Sequence, residues 1–207
     1  MRDNQYPGRS VVMSTHGMIA ASQPMATQAG LAVLRAGGNA MDAAIATSAV
    51  LCVTEPQATG IGGDCFLLYH EARSGKLHGL NGSGRAPGRA TLEEFERRGL
   101  MQVPEHGILP VIVPGAVDAW QMAVERFGTR SLNELLQPAI AFAEQGYAVT
   151  PVVAKAWQNN AAVLAPHAES RRDFLVDGQA PATGTMHRQQ RLAQSLRQIA
   201  RGGRDAF

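Results

Sequence analysis

With 207 residues, 45% of them hydrophobic and 17% charged, the chain can bury a sizeable core without disulfide staples, and its composition is far from that of a disordered protein. The net charge is +2 and the basic residues are scattered among acidic ones, which argues against a nucleic-acid partner. The first twenty residues hold no sustained apolar run, and no segment reaches membrane-spanning length. No membrane partner is therefore expected. The default compartment is the cytoplasm, with a periplasmic or secreted location open if an upstream signal has been removed.

Val11 to Ser14 reads as a short strand. A helix is expected from about Gln23 to Ala36, with Ser22 as N-cap, Pro24 in the first turn and Gly37-Gly38 as the stop. A second runs from about Ala40 to Val53 and ends before Pro56. Met41, Ala44, Ile45, Ser48, Ala49 and Cys52 fall on one face of it at helical spacing. That face is made mostly of small residues, which lets the helix lie close to its neighbours and places it centrally in a layered fold. Cys52 and Cys65 each sit in an apolar run, where a thiol behaves as a small buried hydrophobe.

Cys65 to His70 and Lys76 to Asn81 read as two strands of an antiparallel hairpin. Helices follow at Leu92 to Arg98, capped by Thr91 and stopped by Gly99, and at Gly115 to Phe127. Ser131 to Leu136, Pro138 to Gln145, Pro151 to Leu164 and His187 to Arg201 complete a helix-rich second half, with an irregular stretch from Pro166 to Thr185. Arg188, Arg191, Arg197, Arg201 and Arg204 alternate with Leu192, Leu196 and Ile199 as on a solvated helix face. The expected class is mixed α/β or α+β, with helices covering a mainly antiparallel sheet and no second domain within residues 1–207.

Gly60-Ile61-Gly62-Gly63 could suggest a phosphate loop, but it follows a helix and leads into a strand, the reverse of a dinucleotide fingerprint. It reads as a structural turn. Gly82-Ser83-Gly84 places its glycines directly beside the serine, unlike a Gly-x-Ser-x-Gly nucleophile elbow. The six histidines and two cysteines show no zinc spacing, so neither a metal nor a cofactor is implied. Asp42 and Asp64 stand near a helix start and beside glycines, where carboxylates accept from backbone donors. Spacing alone yields no complete catalytic set.

Read as one string, Gly17-Met18-Ile19-Ala20-Ala21-Ser22-Gln23-Pro24 and Gly37-Gly38-Asn39-Ala40-Met41-Asp42-Ala43-Ala44 closely resemble the start of γ-glutamyltranspeptidase large subunits. The likeness continues through Glu55-Pro56, Thr59-Gly60-Ile61-Gly62-Gly63, Val113-Pro114-Gly115-Ala116-Val117, Pro138-Ala139-Ile140 and Ala143-Glu144-Gln145-Gly146 to Ala206-Phe207. The resemblance implies an N-terminal-nucleophile hydrolase with a layered-sandwich fold, made as a precursor that cleaves itself. A threonine at the new terminus, in a small subunit, attacks an amide carbonyl with its own α-amino group as base. That nucleophile lies beyond residue 207 in the family, so no catalytic residue is assigned here and the chain alone is expected to be inactive.

The large subunit's contribution in the family is an arginine that binds the substrate α-carboxylate, a task that suits a two-pronged guanidinium. In many members it lies four residues before the proline of an Ala-Pro pair. Counted back from Pro87, that position is Ser83, whereas Arg85 stands two residues later. Asp64 is a second departure, at a position where many members carry glycine. Arg85 and Ser83 are the substrate-binding candidates. The partners implied are a small-molecule amide substrate and the small subunit. The first expectation is a γ-glutamyltransferase or glutathione hydrolase; the alternatives are an acylase or small-amide hydrolase acting, for example, on oxamate, and a noncatalytic scaffold.

Overall fold

The computed structural model describes residues 11–207. Helix α1 (Pro24–Arg35) begins one residue later than Ser22 would have placed it, so Pro24 occupies the first helical position, where its missing N–H costs nothing. Ser22 is not the cap: its hydroxyl donates to Glu55 Oε2 at 2.6 Å. Gln23 at the cap position is buried and donates through Nε2 to Thr150 Oγ1. Val11–Ser14 is not a strand, because no described residue offers it a ladder partner, and Val11 and Met13 stand in solvent.

Helix α2 (Ala40–Thr54) is the centre of the molecule, packed against α1 and against two later helices, α4 (Ala116–Phe127) and α5 (Leu132–Gln145). Burial covers nearly its whole circumference, more than the single face expected from the sequence. Ala44 is exposed and Ser48 partly so, on the side that faces the first strand. The reason is composition: Ala43, Ala46 and Ala49 bring neighbours close on several sides at once. Trp120, Leu135, Leu136, Leu196 and Ile199 from the surrounding helices complete the core.

Strands β1 (Cys65–Glu71) and β2 (Lys76–Gly82) form the expected antiparallel hairpin, with Leu67 opposite Leu80 and Tyr69 opposite His78. Cys65, Leu67 and Tyr69 face the core, while the alternate residues Phe66, Leu68 and Leu77 remain 68%, 78% and 66% exposed. The sheet expected beneath the helices is only this pair plus a second short ladder, β3 (Tyr147–Ala148) with β4 (Met186–His187). Among the described residues no third strand joins either ladder.

Between the hairpin and α4 lies the short helix α3 (Leu92–Arg97), capped by Thr91 as expected. Helix α5 runs unbroken through Pro138, where two helices were expected. Its N-terminus is fixed by a reciprocal Ser131–Glu134 cap, and Leu135, Leu136, Ala139, Ile140 and Ala143 bury one continuous stripe, which outweighs the lost Pro138 hydrogen bond. Helix α6 (Pro151–Leu164) is as expected, and α7 (Ala168–Phe174) lies inside the stretch read as irregular. Helix α8 (Gln190–Gly202) starts later than expected because His187 belongs to β4. Three of the five arginines read as a solvated face are paired: Arg197 with Glu144, Arg191 with Asp173, and Arg204, in the following 3-10 turn, with Asp118 and Glu125.

Candidate functional site

Three glycine-bearing loops meet where the hairpin abuts the start of α4. The first is the turn Thr59–Asp64, closed by a hydrogen bond from Gly63 N to Gly60 O. Its Gly63 carbonyl then accepts both Gly115 N at 3.1 Å and Ala116 N at 2.9 Å, which satisfies two backbone donors at the start of α4. The Gly60-Ile61-Gly62-Gly63 cluster therefore serves as a structural turn that anchors a helix.

The second loop leaves β2 as Asn81-Gly82-Ser83-Gly84-Arg85. Asn81 Oδ1 accepts Ser83 N at 2.9 Å, a local turn bond. Asp64 Oδ1 accepts Gly84 N at 3.1 Å across twenty residues of chain, and Arg85 O accepts Val113 N at 2.9 Å from the third loop. Asp64 and the Ser83-Gly84-Arg85 segment, read from the sequence as two separate departures, are thus one joined unit. Side chains are excluded where the backbones cross: a Cβ on Gly84 would overlap the Val113 carbonyl, and one on Gly115 would overlap Gly82 O and Gly84 N. The corner is held by backbone packing together with one carboxylate.

Ser83 and Arg85 are both exposed on this corner, on either side of the buttressed Gly84. Neither the Arg85 guanidinium nor the Ser83 hydroxyl bonds to another described residue. A guanidinium with no partner among the described residues, on a fixed backbone, is suited to take a carboxylate in two-pronged fashion. The sequence reading missed the part played by Val113 and Gly115, which form the floor of the corner. Their signal was the Val113-Pro114-Gly115 string, but its contact with Gly84 and Arg85 is a long-range relation that local pattern does not reveal.

The other motif residues lie elsewhere. Asp42 is fully buried at the start of α2, where Oδ2 accepts Asn39 N and Thr129 Oγ1 and Oδ1 accepts the N–H groups of Thr129 and Arg130. Asn39 completes a reciprocal cap with Asp42 and donates through Nδ2 to Phe127 O at 2.6 Å. Gly37-Gly38-Asn39-Ala40-Met41-Asp42 is therefore a clasp between α2 and the α4–α5 turn. Cys52 is buried and its thiol is pushed up to about 11 by desolvation; burial also raises the thiol of half-buried Cys65. Neither is poised as a nucleophile.

Among the described residues no cluster of His, Cys, Asp and Glu is arranged to hold a metal ion, and no helix is long and apolar enough to cross a membrane. A cavity of about 1120 Å³ lies between the segment ahead of α1 and α1 itself, and is lined by residues from Val12 to Arg35. Neither Ser83 nor Arg85 reaches it.

The chain is 37% identical over 197 residues to the glutathione hydrolase-like YwrD proenzyme of Bacillus subtilis, a match that covers 95% of this chain and 37% of that protein. It is 44% identical to the cephalosporin acylase structure from Bacillus halodurans, with a TM-score of 0.88 over 96% of this chain and 38% of that one. The Helicobacter pylori gamma-glutamyltranspeptidase structure superposes with a TM-score of 0.90 at 32% identity, over 96% of this chain and 58% of that one. The chain thus spans little more than a third of the curated relative's length. With its mixed helix-and-sheet fold matching these structures, and with the gamma-glutamyltranspeptidase sequence model matching residues 26–207, the chain belongs to the gamma-glutamyltranspeptidase family.

Proposed function

We propose that the whole protein is an N-terminal-nucleophile amide hydrolase, that these 207 residues are part of its large subunit, and that Arg85 binds a carboxylate on the acyl half of the substrate. The reading rests on one observation: Arg85 is an exposed guanidinium with no partner among the described residues, set on a corner whose backbone is held on both sides. Ser83, across Gly84, is the second contact. The nucleophile is a threonine outside this chain, at the terminus of a small subunit. Its hydroxyl oxygen attacks the amide carbonyl, the proton passes through the α-amino group to the departing amine, and water or an acceptor amine then releases the acyl group from the threonine ester.

A γ-glutamyl amide is the first candidate substrate, making the protein a γ-glutamyltransferase or glutathione hydrolase. The Asp64–Gly84 bond favours a second reading. It joins the two places where the sequence departs from the γ-glutamyltranspeptidase pattern, Asp64 and Ser83-Gly84-Arg85, and those departures motivate an acyl group other than γ-glutamyl, such as a glutaryl side chain or oxamate. Each of these substrates bears a carboxylate on its acyl half, three carbons from the scissile carbonyl in the γ-glutamyl and glutaryl amides and attached directly to it in oxamate, and in each case it is the group Arg85 binds.

The test uses full-length, processed protein and follows amine release from γ-glutamyl p-nitroanilide, glutaryl p-nitroanilide and oxamate. One of the three is expected to be turned over, with Arg85→Ala raising KM about 10- to 100-fold and Arg85→Lys by less. Turnover of none of them would favour a noncatalytic scaffold, and an unchanged KM in Arg85→Ala would remove Arg85 from the site.

A further inference from the structure

We infer that Asp64 is a positioning residue for Arg85, an inference that rests on the carboxylate-binding role proposed for that arginine. Asp64 follows the Gly62-Gly63 turn and immediately precedes β1, and its backbone is anchored because the adjacent Gly63 carbonyl holds the N–H groups of Gly115 and Ala116 at the start of α4. From this fixed point its carboxylate crosses to the next loop and accepts the Gly84 N–H at 3.1 Å. Gly84 is pressed against the Val113 carbonyl, and the Arg85 carbonyl takes the Val113 N–H at 2.9 Å.

The Gly84–Arg85 dipeptide is therefore gripped at its N–H by Asp64 and at its far carbonyl by Val113. Only the torsions between those two grips set the direction in which the Arg85 side chain leaves the backbone. Glycine is the residue whose torsions are least restrained by its own sterics, so an external acceptor on its N–H is what keeps the corner in one shape. The requirement for glycine is imposed by Val113, and Asp64 supplies the restraint that glycine lacks.

A purely structural role for Asp64 is poorly supported by its surroundings. The side chain is exposed, makes no ion pair with another described residue, and Gly84 N is its one hydrogen-bond donor among them. The useful property is thus the acceptor oxygen, and asparagine keeps that oxygen while losing the charge.

The experiment measures kcat and KM of the full-length processed protein on γ-glutamyl and glutaryl p-nitroanilides, with butyryl p-nitroanilide as the probe that lacks a carboxylate. Asp64→Ala is expected to raise KM for the carboxylate-bearing substrate roughly tenfold, because a small misplacement of a binding group is costly, with kcat and the melting temperature nearly unchanged. Asp64→Asn should restore KM to near wild type. In an Arg85→Ala background Asp64→Ala should add nothing, since there is no guanidinium left to place.

If Arg85→Ala raises KM and Asp64→Ala does not, or if the two effects multiply independently, the inference fails while the role of Arg85 stands. If Asp64→Ala weakens butyryl anilide equally, Asp64 acts on the fold and not on Arg85, and the inference is overturned. If Arg85→Ala leaves KM unchanged, or none of the three anilides is cleaved, the parent reading falls and takes this inference with it.

Discussion

Thr129 Oγ1 donates to Asp42 Oδ2 at 2.6 Å, joining residues 87 positions apart. The same carboxylate takes the N–H groups of Asn39, Thr129 and Arg130. Burial pushes this carboxyl up, but the Thr129 hydroxyl and the three backbone donors outweigh it, so the group lies below the ordinary carboxylate range and is charged at neutral pH. The start of the central helix α2 and the turn leading into α5 share one anion.

Removing that anion should be costly. Asp42→Ala leaves several buried donors unpaired and is expected to destabilise the protein by about 3 kcal/mol or more, and Thr129→Val by about 1 to 2 kcal/mol. Because both act on one bond, the double variant should lose less than the sum. Urea denaturation midpoints check this, and an Asp42→Ala midpoint equal to wild type would rule out the clasp.

The pH dependence follows from the sign of the Asp42 shift. Its folded pKa is below the unfolded value of 3.8, so the unfolded chain binds the proton more tightly. The stability it contributes is fully present above that value and is lost as pH falls through the folded pKa. The slope of unfolding free energy between roughly pH 5 and pH 2 should flatten in Asp42→Asn, measured against wild type by denaturant titration at each pH.

His187 acts in a higher window. It is buried between Trp157, with ring centroids 4.8 Å apart, and Tyr147, at 5.9 Å, and burial lowers its pKa from 6.5. The unfolded chain again takes up the proton first, so stability is complete above about pH 6.5 and declines as pH falls below it, levelling once the folded pKa is passed. His187→Gln should remove this decline, and a wild-type thermal stability flat between pH 7 and pH 5 would contradict the account.

The two thiols should differ in accessibility. With Cys52 buried and its thiol near 11, and Cys65 half-buried and also raised, an aromatic disulfide reagent at pH 8 should label Cys52 only after denaturation and Cys65 slowly. Mass spectrometry of the labelled peptides distinguishes them; rapid native labelling of Cys52 would show that α2 opens easily.

Gly84→Ala tests the corner itself. The added methyl would meet the Val113 carbonyl, so either the Arg85–Val113 bond opens or the loop shifts, at a cost of about 2 kcal/mol. Loss of protection at the Val113 amide in hydrogen exchange is the expected mark, and unchanged protection would show that the backbone yields elsewhere.

Much of this was legible in the sequence where the signal is local. The hairpin between Cys65 and Asn81, the Thr91 cap and the stop at Gly99 follow from alternation and from residues that act on their own neighbours. The expectation that Asp42 and Asp64 accept from backbone donors also agrees with their bonds to Thr129 and Gly84. The partners themselves were not legible, since nothing near Asp42 points to a residue 87 positions on. Local rules misled where tertiary packing overrode them: Pro138 does not break α5 because the stripe from Leu135 to Ala143 is buried on both sides of it. His187 reads as helical by its neighbours, but the pairing of Tyr147 with His187 claims it for a strand.

The hairpin carries a last consequence. Phe66 and Leu68 on its outer face are as apolar as Leu67 and Tyr69 on its inner one, so polarity does little to prevent the whole hairpin from shifting by one residue against α4 and exchanging the two sets. The protection comes from size at one end. Gly82, paired with Cys65, lies where an added Cβ would overlap Ala119, so any register that carries Ser83 or Asn81 into that place is blocked by α4. One missing side chain indexes the whole ladder, and with it the starting point of the loop that carries Ser83 and Arg85.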